Sequence, residues 1–447
     1  MLFSLHGRLA DEDKSFLFMK NFSAVPIILA VALFLPFEGY FSYLLGGEGV
    51  LAVAIKLAPE VLIAFTLGAA LLLPRQNRLM RSPIDSHLVL LIALAVFSTL
   101  LYAESTGAAA NNFRALFRYV VVFYLVYYFG FSIKSWRLLL SLMVVVVSLN
   151  VAFALFQYVL GDSYPDVLRV NQKTRVALEN IYEVQQVAKD EKIGAVQALF
   201  ESPGVFGVFL IVAIVFVQSR LFLKSAGQWY FVALLLLILV SAFLTYSKTA
   251  FLLTVLAVAI FWYQYFKRWR GVVVAIAFAA SISGFIAFSV FSAVVDQSFA
   301  KREEVAAVDN LMNLMSSQYW DHFFQAERGW VLKEVGGEII GAMPIIGYSP
   351  DEDAVKARIS SLSDGRLARL IYYSAFEDVY WVALLGYFGL IGIGVFFSMF
   401  FALYKEGKYL LEMSRDSGDS SRVVLSAGFL TLLLIAVPYC FSEFGNL

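Results

Sequence analysis

The sequence predicts an all-α fold: a polytopic membrane helical bundle of about eleven transmembrane helices with a large helical extracytoplasmic loop. Three observations predict it. Of the 447 residues, 60% are hydrophobic and 15% charged, and mean hydropathy is +0.77; soluble domains have roughly 45–50% apolar and about 25% charged residues. Apolar runs long enough to cross a bilayer recur along the chain. Lysine and arginine crowd one set of connecting segments and avoid the alternate set, as the positive-inside rule describes for a multi-pass protein.

Composition also excludes some functions. The formal net charge is +0, which argues against a nucleic-acid partner. Cys440 is the single cysteine, so an intramolecular disulfide and a multi-cysteine metal site are excluded. With His6, His87 and His322 as the only histidines, a His-rich metal site is not expected either. No cofactor is expected. Asp11, Glu12 and Asp13 precede the first apolar run, and no A-x-A-like site follows it, so that run is expected to stay in the protein rather than act as a cleaved signal.

In chain order, the expected spans are roughly 23–38, 50–73, 87–103, 112–130, 137–159, 203–219, 229–246, 249–266, 271–294, 378–403 and 422–441. The second is interrupted by Lys56, Pro59 and Glu60, so a broken or re-entrant start near Pro59 is expected. Segments that hold Arg8, Lys14 and Lys20, then Arg75, Arg78 and Arg81, then Lys134 and Arg137, Arg220 and Lys224, Lys267 to Arg270, and Lys405 to Arg422 fall on one side. The short segments near 39–49 and 104–111 hold no lysine or arginine, and the one around Lys248 holds one. This orients the N-terminus to the cytoplasm and places 160–202 and 296–377 outside, in the periplasm of a bacterial inner membrane. The chain then divides into a membrane scaffold at 1–295 with an outer loop at about 160–202, a large periplasmic loop at 296–377, and C-terminal membrane helices at 378–447.

Neither long segment reads as disordered. Leu178, Ile181, Gln185 and Ala188 recur at helical spacing, as do Val308, Leu311, Met312, Met315 and Tyr319. The second set suits a helix on the membrane surface or one packed on its own loop. Pro344, Gly347 and Pro350 mark a structured turn, and Ser360–Gly365 a looser one.

An ionisable side chain within a span costs at least about 2.5–3.5 kcal/mol on insertion scales, so each needs a partner or a purpose. Lys56 and Glu60, one turn apart and opposite in sign, most simply neutralise each other. Arg114 and Arg118 are one turn apart at the outer end of the fourth span and repel slightly. Either an anion lies between or beside them, or they meet carboxylates such as Glu104 or snorkel to lipid phosphates. Lys248, in Thr245-Tyr246-Ser247-Lys248-Thr249, is an interfacial anchor or a binding cation. Glu377 reads equally as the capping-box partner of Ser374 and as a general base, with Asp378 competing for the second role. His322 is a weaker candidate base. Outer-face cations (Arg114, Arg118, Lys248, Arg328) suit a pyrophosphate on a membrane lipid, and a carboxylate there can take a proton from a sugar hydroxyl. No metal is expected at this surface; Arg and Lys would stabilise leaving-group charge.

At these residues the chain resembles the O-antigen ligase and O-antigen polymerase family of bacterial envelope proteins. Gln157-Tyr158 with Gly161 resembles its Q-Y-x-x-G pattern. Phe200-Glu201-Ser202-Pro203-Gly204-Val205-Phe206-Gly207 resembles its small-residue, proline-containing start of a span, and Thr245 to Ala250 its T-x-S-R-x-A hairpin. Arg328-Gly329-Trp330 and Pro344 to Tyr348 resemble its R-x-x-W and P-x-x-G-x-G elements. Asp378-Val379-Tyr380 with Gly386 to Gly392 resembles its closing segment. Lys248 stands where the family has arginine, Arg328 and Trp330 are closer than usual, and Glu377-Asp378 replaces the ligase histidine; these departures tilt towards polymerase-type members.

The resemblance implies an undecaprenyl-pyrophosphate-linked oligosaccharide as donor, a membrane lipid setting, and flippase and chain-length-regulator partners. It implies a metal-independent glycosyltransferase that polymerises lipid-linked repeat units at the outer face. Glu377 or Asp378 would act as base, Arg328 would be catalytic, and Arg114, Arg118, Lys248 and Arg328 would bind pyrophosphate. Two alternatives stand beside it: a ligase that moves the glycan to lipid A–core or protein, and a transporter or flippase for the same lipids. The transporter predicts functional charges along a path through the bilayer midplane.

Overall fold

The computed structural model describes residues 25–44, 50–72, 82–117, 132–160, 196–200, 202–223, 228–245, 247–266, 345–362 and 380–439, with isolated positions at 120, 123, 124, 126 and 337. Among the described residues every regular element is helical and there is no strand. Helix α1 (Val25–Phe34) gives way at Pro36 to one 3₁₀ turn, Leu35–Phe37, and then to α2 (Glu38–Leu44). Proline lacks the N–H that would continue the first helix. Helix α3 (Val50–Leu72) carries Pro59 and yet runs unbroken, so the expected break near Pro59 is not found.

A hydrogen-bonded turn leads into helix α4 (Asp85–Tyr102). Asp85 Oδ2 accepts the Ser82 N–H at 2.8 Å, while Ser82 Oγ accepts the Ile84 N–H at 3.3 Å. A turn at 103–105 leads to α5 (Thr106–Phe117), whose first turn is capped by Ser105 Oγ through the Ala108 N–H at 3.2 Å. Then come α6 (Ile133–Leu160), α7 (Pro203–Phe222), α8 (Gln228–Leu244), α9 (Lys248–Tyr265), α10 (Glu352–Leu362), α11 (Tyr380–Asp416) and α12 (Ser420–Tyr439). Helix α7 opens with Ser202 as cap and Pro203 in its first turn, the placement in which proline's missing N–H costs nothing.

Five of these, α4, α6, α7, α11 and α12, are long and apolar enough to cross a membrane; α8 and α9 are apolar but shorter. Large apolar side chains are exposed along them: Leu100 is 78% exposed, Val159 79% and Trp229 86%. Such residues suit lipid, not water. Three buried hydroxyls donate to carbonyls of their own helices, one turn back. Thr254 donates to the Ala250 carbonyl at 2.6 Å, Thr431 to Ala427 at 2.8 Å and Ser414 to Leu410 at 2.6 Å. The expected span at 271–294 and the expected surface helices near 176–188 and 305–319 lie outside the described residues.

The larger core is built around α7, whose Phe206, Leu210 and Ile214 are fully buried against α6, α8, α9 and α12. A second core joins α4 and α11 through Leu91, Leu94, Tyr387 and Phe388. Polar contacts sort the helix ends. Arg137 of α6 donates to Ser421 Oγ of α12 at 3.0 Å, and Arg415 of α11 donates to the Gln264 carbonyl of α9. At the opposite end, the Val196 N–H donates to the Leu244 carbonyl at 3.0 Å, and Gln157 Oε1 accepts the N–H groups of Gln197 at 3.0 Å and Ala198 at 3.1 Å. The start of α6, the ends of α9 and α11 and the start of α12 therefore share one end. The end of α6 and the starts of α7 and α9, with Lys248, share the other.

Candidate functional site

The large hydrophilic segment meets the membrane-type helices at residues 345–351. Helix α11 is interrupted at Gly389, whose φ of 65° and ψ of −167° are not helical. The loop fills the interruption with backbone hydrogen bonds. The Tyr348 N–H donates to the Gly386 carbonyl at 2.7 Å, and the Ile391 N–H donates to the Ile345 carbonyl at 3.1 Å. Approach this close needs glycine. Gly347 has φ of +77°, and a Cβ there would stand 2.3 Å from the Tyr387 carbonyl oxygen. Ser349 also has positive φ, at 93°, and is wholly buried, with its Oγ 3.2 Å from Thr99 Oγ1 of α4. A non-glycine residue in that region stores about 1–3 kcal/mol of strain, held by its surroundings.

Asp351 locks the next turn. Its carboxylate is 1% exposed; Oδ2 accepts the Glu104 N–H at 3.0 Å and the Ser105 N–H at 2.9 Å, while Oδ1 accepts the Asp353 N–H at 3.2 Å. It thus caps α10 and pins the α4–α5 turn to it. Asp351-Glu352-Asp353 is also an Asp-x-Asp triplet, which corrects the ground for expecting a metal-free surface, that the outer segments hold no such motif. The fold commits the first carboxylate of the triplet to backbone N–H groups. Glu352 pairs instead with Lys356 one turn on. The turn expected around Pro344, Gly347 and Pro350 is present over its described part, 345–350, whereas α10 continues through Ser360 to Leu362, and the rest of the looser turn expected at Ser360–Gly365 lies outside the described residues. Acidic residues in its first turn and the Glu352–Lys356 pair supply the helical signal that outweighs the serines.

Between the end of α4 and α10 lies an open cleft of about 250 Å³, lined by Tyr102, Glu104, Tyr348, Ala354, Ala357 and Arg358. Tyr102 meets Tyr348 edge-on with ring centroids 5.7 Å apart, and the Arg358 guanidinium lies 5.8 Å above the Tyr348 ring.

The other quoted motifs fold together at the Lys248 end. Ser247 caps α9, its Oγ accepting the Ala250 N–H at 3.3 Å. Thr245 Oγ1 accepts the Ser247 N–H at 3.2 Å and donates to the Ala242 carbonyl at 2.7 Å. The hydroxyls near Lys248 thus serve the backbone. Lys248 is the first residue of α9. Gly207 of α7 faces Ala250 so closely that a Cβ would sit 2.4 Å from the Ala250 Cβ. Gln157 is a structural clamp on the loop before α7, where Ala198 holds φ of 50°.

Arg114 is paired. One guanidinium nitrogen donates to Glu60 Oε2 at 2.8 Å and the other to Asn111 Oδ1 at 3.0 Å. Glu60 of α3 thus reaches across to α5, and the side chain of its expected partner Lys56 lies outside the described residues. The Arg114 side chain remains 45% exposed, so donors of its fork still face outward. Arg118, Arg328, Glu377, Asp378 and His322 lie outside the described residues, as does the Lys248 side chain. The structure thus brings together Arg114 and Asn111 of α5 with Glu60 of α3. It adds Tyr102, Glu104, Tyr348 and Arg358, which sequence reasoning did not single out as a group; the only sequence signals were the Pro344–Pro350 turn and the acidic start of α10. Comparison with protein-family models and with curated protein sequences finds no match.

Proposed function

We propose that the chain is a membrane glycosyltransferase that polymerises undecaprenyl-pyrophosphate-linked oligosaccharide repeat units at the outer face of a bacterial inner membrane. The observation that carries the reading is the junction itself. The hydrophilic segment is fastened by backbone hydrogen bonds into the interruption of α11, with an open cleft beside it. A lipid-linked donor needs such a place, with its carrier in the bilayer and its sugars in water.

In the proposed reaction an acceptor hydroxyl oxygen bonds to the anomeric carbon as the bond from that carbon to the pyrophosphate oxygen breaks. The pyrophosphate leaves with the electron pair on the lipid carrier. Arg118, Arg328 and Lys248, with Arg114, balance its charge, and Glu377 or Asp378 takes the hydroxyl proton. Commitment of Asp351 to three backbone N–H groups supports a reaction without a metal on that triplet.

One observation favours the transporter reading: interrupted helices form the substrate sites of many transporters. Here the interruption is filled by the protein's own loop, which supports the enzyme reading instead. The test is reconstitution in proteoliposomes with lipid-linked repeat units on the outside. The proposal expects a ladder of lipid-linked oligomers that persists in EDTA. Single units that only change leaflet would establish transport, and loss of the ladder in EDTA would remove the metal-free mechanism.

A further inference from the structure

We propose that Lys405, Lys408 and Tyr409, on an exposed face of α11, hold the phosphodiester of an anionic phospholipid in the leaflet opposite the junction, a site that the glycosyltransferase reading neither uses nor requires. Both lysines are exposed, and among the described residues neither takes a hydrogen bond or an ion pair. Residues three apart on a helix lie about 5–6 Å from each other at Cβ, so these two like charges repel. A phosphate between them replaces the repulsion with two attractions.

Depth selects the ligand. Helix α11 is interrupted at Gly389, where the hydrophilic segment docks, and runs on to Asp416. At about 1.5 Å per residue, Lys405 lies about 24 Å beyond the interruption and Lys408 about 28 Å. Bilayer hydrocarbon is about 30 Å thick, so both ammonium groups reach the far headgroup level, where long stems hold charge at the water boundary. Phe401, one turn nearer the midplane on the same face, is 67% exposed and suits an acyl chain. Tyr409, 58% exposed, brings a phenol to the level of the lysines, where amphipathic rings are favoured, and its O–H is a donor for a phosphate or glycerol oxygen.

The face is held in place from behind. Gly407, on the side of α11 turned towards α12, is buried so closely that a Cβ there would stand 2.8 Å from Leu430 Cδ2 and 2.9 Å from Phe429 Cδ1. Arg415 ties the end of the helix to the Gln264 carbonyl of α9. Seated on that side, α11 keeps Lys405 and Lys408 turned outward. The exposed carboxylates on the lysine face, Glu412 and Asp416, lie further along the helix, past the headgroup level. Glu412 follows Lys408 by one turn, the weaker order for a helical ion pair, and the two do not pair. A zwitterionic headgroup would bring its own cation to the lysines, so an anionic one is favoured.

Native mass spectrometry of the full-length, delipidated protein, titrated with phosphatidylglycerol or phosphatidylcholine, reads the site. One phosphatidylglycerol should bind about tenfold more tightly than phosphatidylcholine. Lys405→Gln and Lys408→Gln should each weaken it about fivefold, the effect of one basic residue at an anionic surface. Lys134→Gln removes an exposed lysine of α6 at the same end and should leave binding unchanged. All three lie on exposed helix faces, so the fold is kept. Glycerophosphate, which has the charge without acyl chains, should not displace the lipid. Equal binding of the two lipids, indifference to both α11 variants, or an equal loss from Lys134→Gln would overturn the proposal. Displacement by glycerophosphate at the lipid's own concentration would overturn it too, as the mark of a site for a soluble anion.

Discussion

The Tyr348 backbone N–H donates to the Gly386 carbonyl at 2.7 Å, joining the hydrophilic segment to α11 one turn before that helix is interrupted at Gly389. A bond between two main chains tolerates many side chains but no gap, so its dependence on glycine is sharp.

Gly347→Ala is the substitution that breaks this junction. It should cost about 2–5 kcal/mol: about 1–2 for an L-residue at left-handed φ and about 1–3 for overpacking. Gly418, with φ of +69° and nothing within 4 Å of a Cβ, is the matched control. Gly418→Ala should cost only the first part, about 1–2 kcal/mol. Thermal unfolding of the purified protein reads both, and equal losses would mean that Gly347 is not in close contact with α11.

Asp351→Ala leaves buried N–H groups of the α4–α5 turn without an acceptor, at about 1–3 kcal/mol for each stranded group. Asp351→Asn keeps one acceptor oxygen and should fall between Ala and the wild type. Hydrogen exchange at Glu104 and Ser105 should rise in the same order. An alanine variant as protected as the wild type would show that the carboxylate does not hold this turn.

Helices α7 and α9 meet at Gly207 and Ala250, the small residues of two quoted motifs. Gly207→Ala should destabilise by about 1–3 kcal/mol. Ala250→Gly in the same chain should recover most of that loss, with a coupling of about 0.5–3 kcal/mol in the double-mutant cycle. Additive effects would place the two helices further apart.

The Arg114–Glu60 pair separates stability from activity. Its partners are 45% and 19% exposed, so solvent screens the pair and Arg114→Gln should cost no more than about 1 kcal/mol. Glycan extension should nevertheless fall, if the outward donors of Arg114 meet pyrophosphate as proposed. Full extension with unchanged stability would remove Arg114 from the site.

The helices were legible where the chain is both apolar and punctuated. The spans expected at 203–219 and 249–266 coincide with helices that begin at Pro203 and Lys248, each after a serine cap that the sequence reading did not single out. The interruption at Gly389 was not legible, because Gly386 to Gly394 sits in an otherwise continuous apolar run and glycine is common in such helices. Only the loop that docks there, far away in sequence, reveals it. Glu60 shows the same limit for charges. Its bond to Arg114 on another helix has no local signal, while the partner that spacing offers, Lys56, has its side chain outside the described residues. The cleft was illegible for a related reason: Tyr102 and Glu104 are separated from Arg358 by most of the chain, and no local pattern links them.

The decisive measurement is glycan chain length in cells that lack this protein, complemented with the wild type or with Arg328→Ala. Polymerisation at the junction predicts long chains with the wild type and single-repeat products with the empty strain and with Arg328→Ala. Long chains that remain on the lipid carrier would mean a ligase instead, and unchanged glycans in every strain would refute the glycan assignment outright.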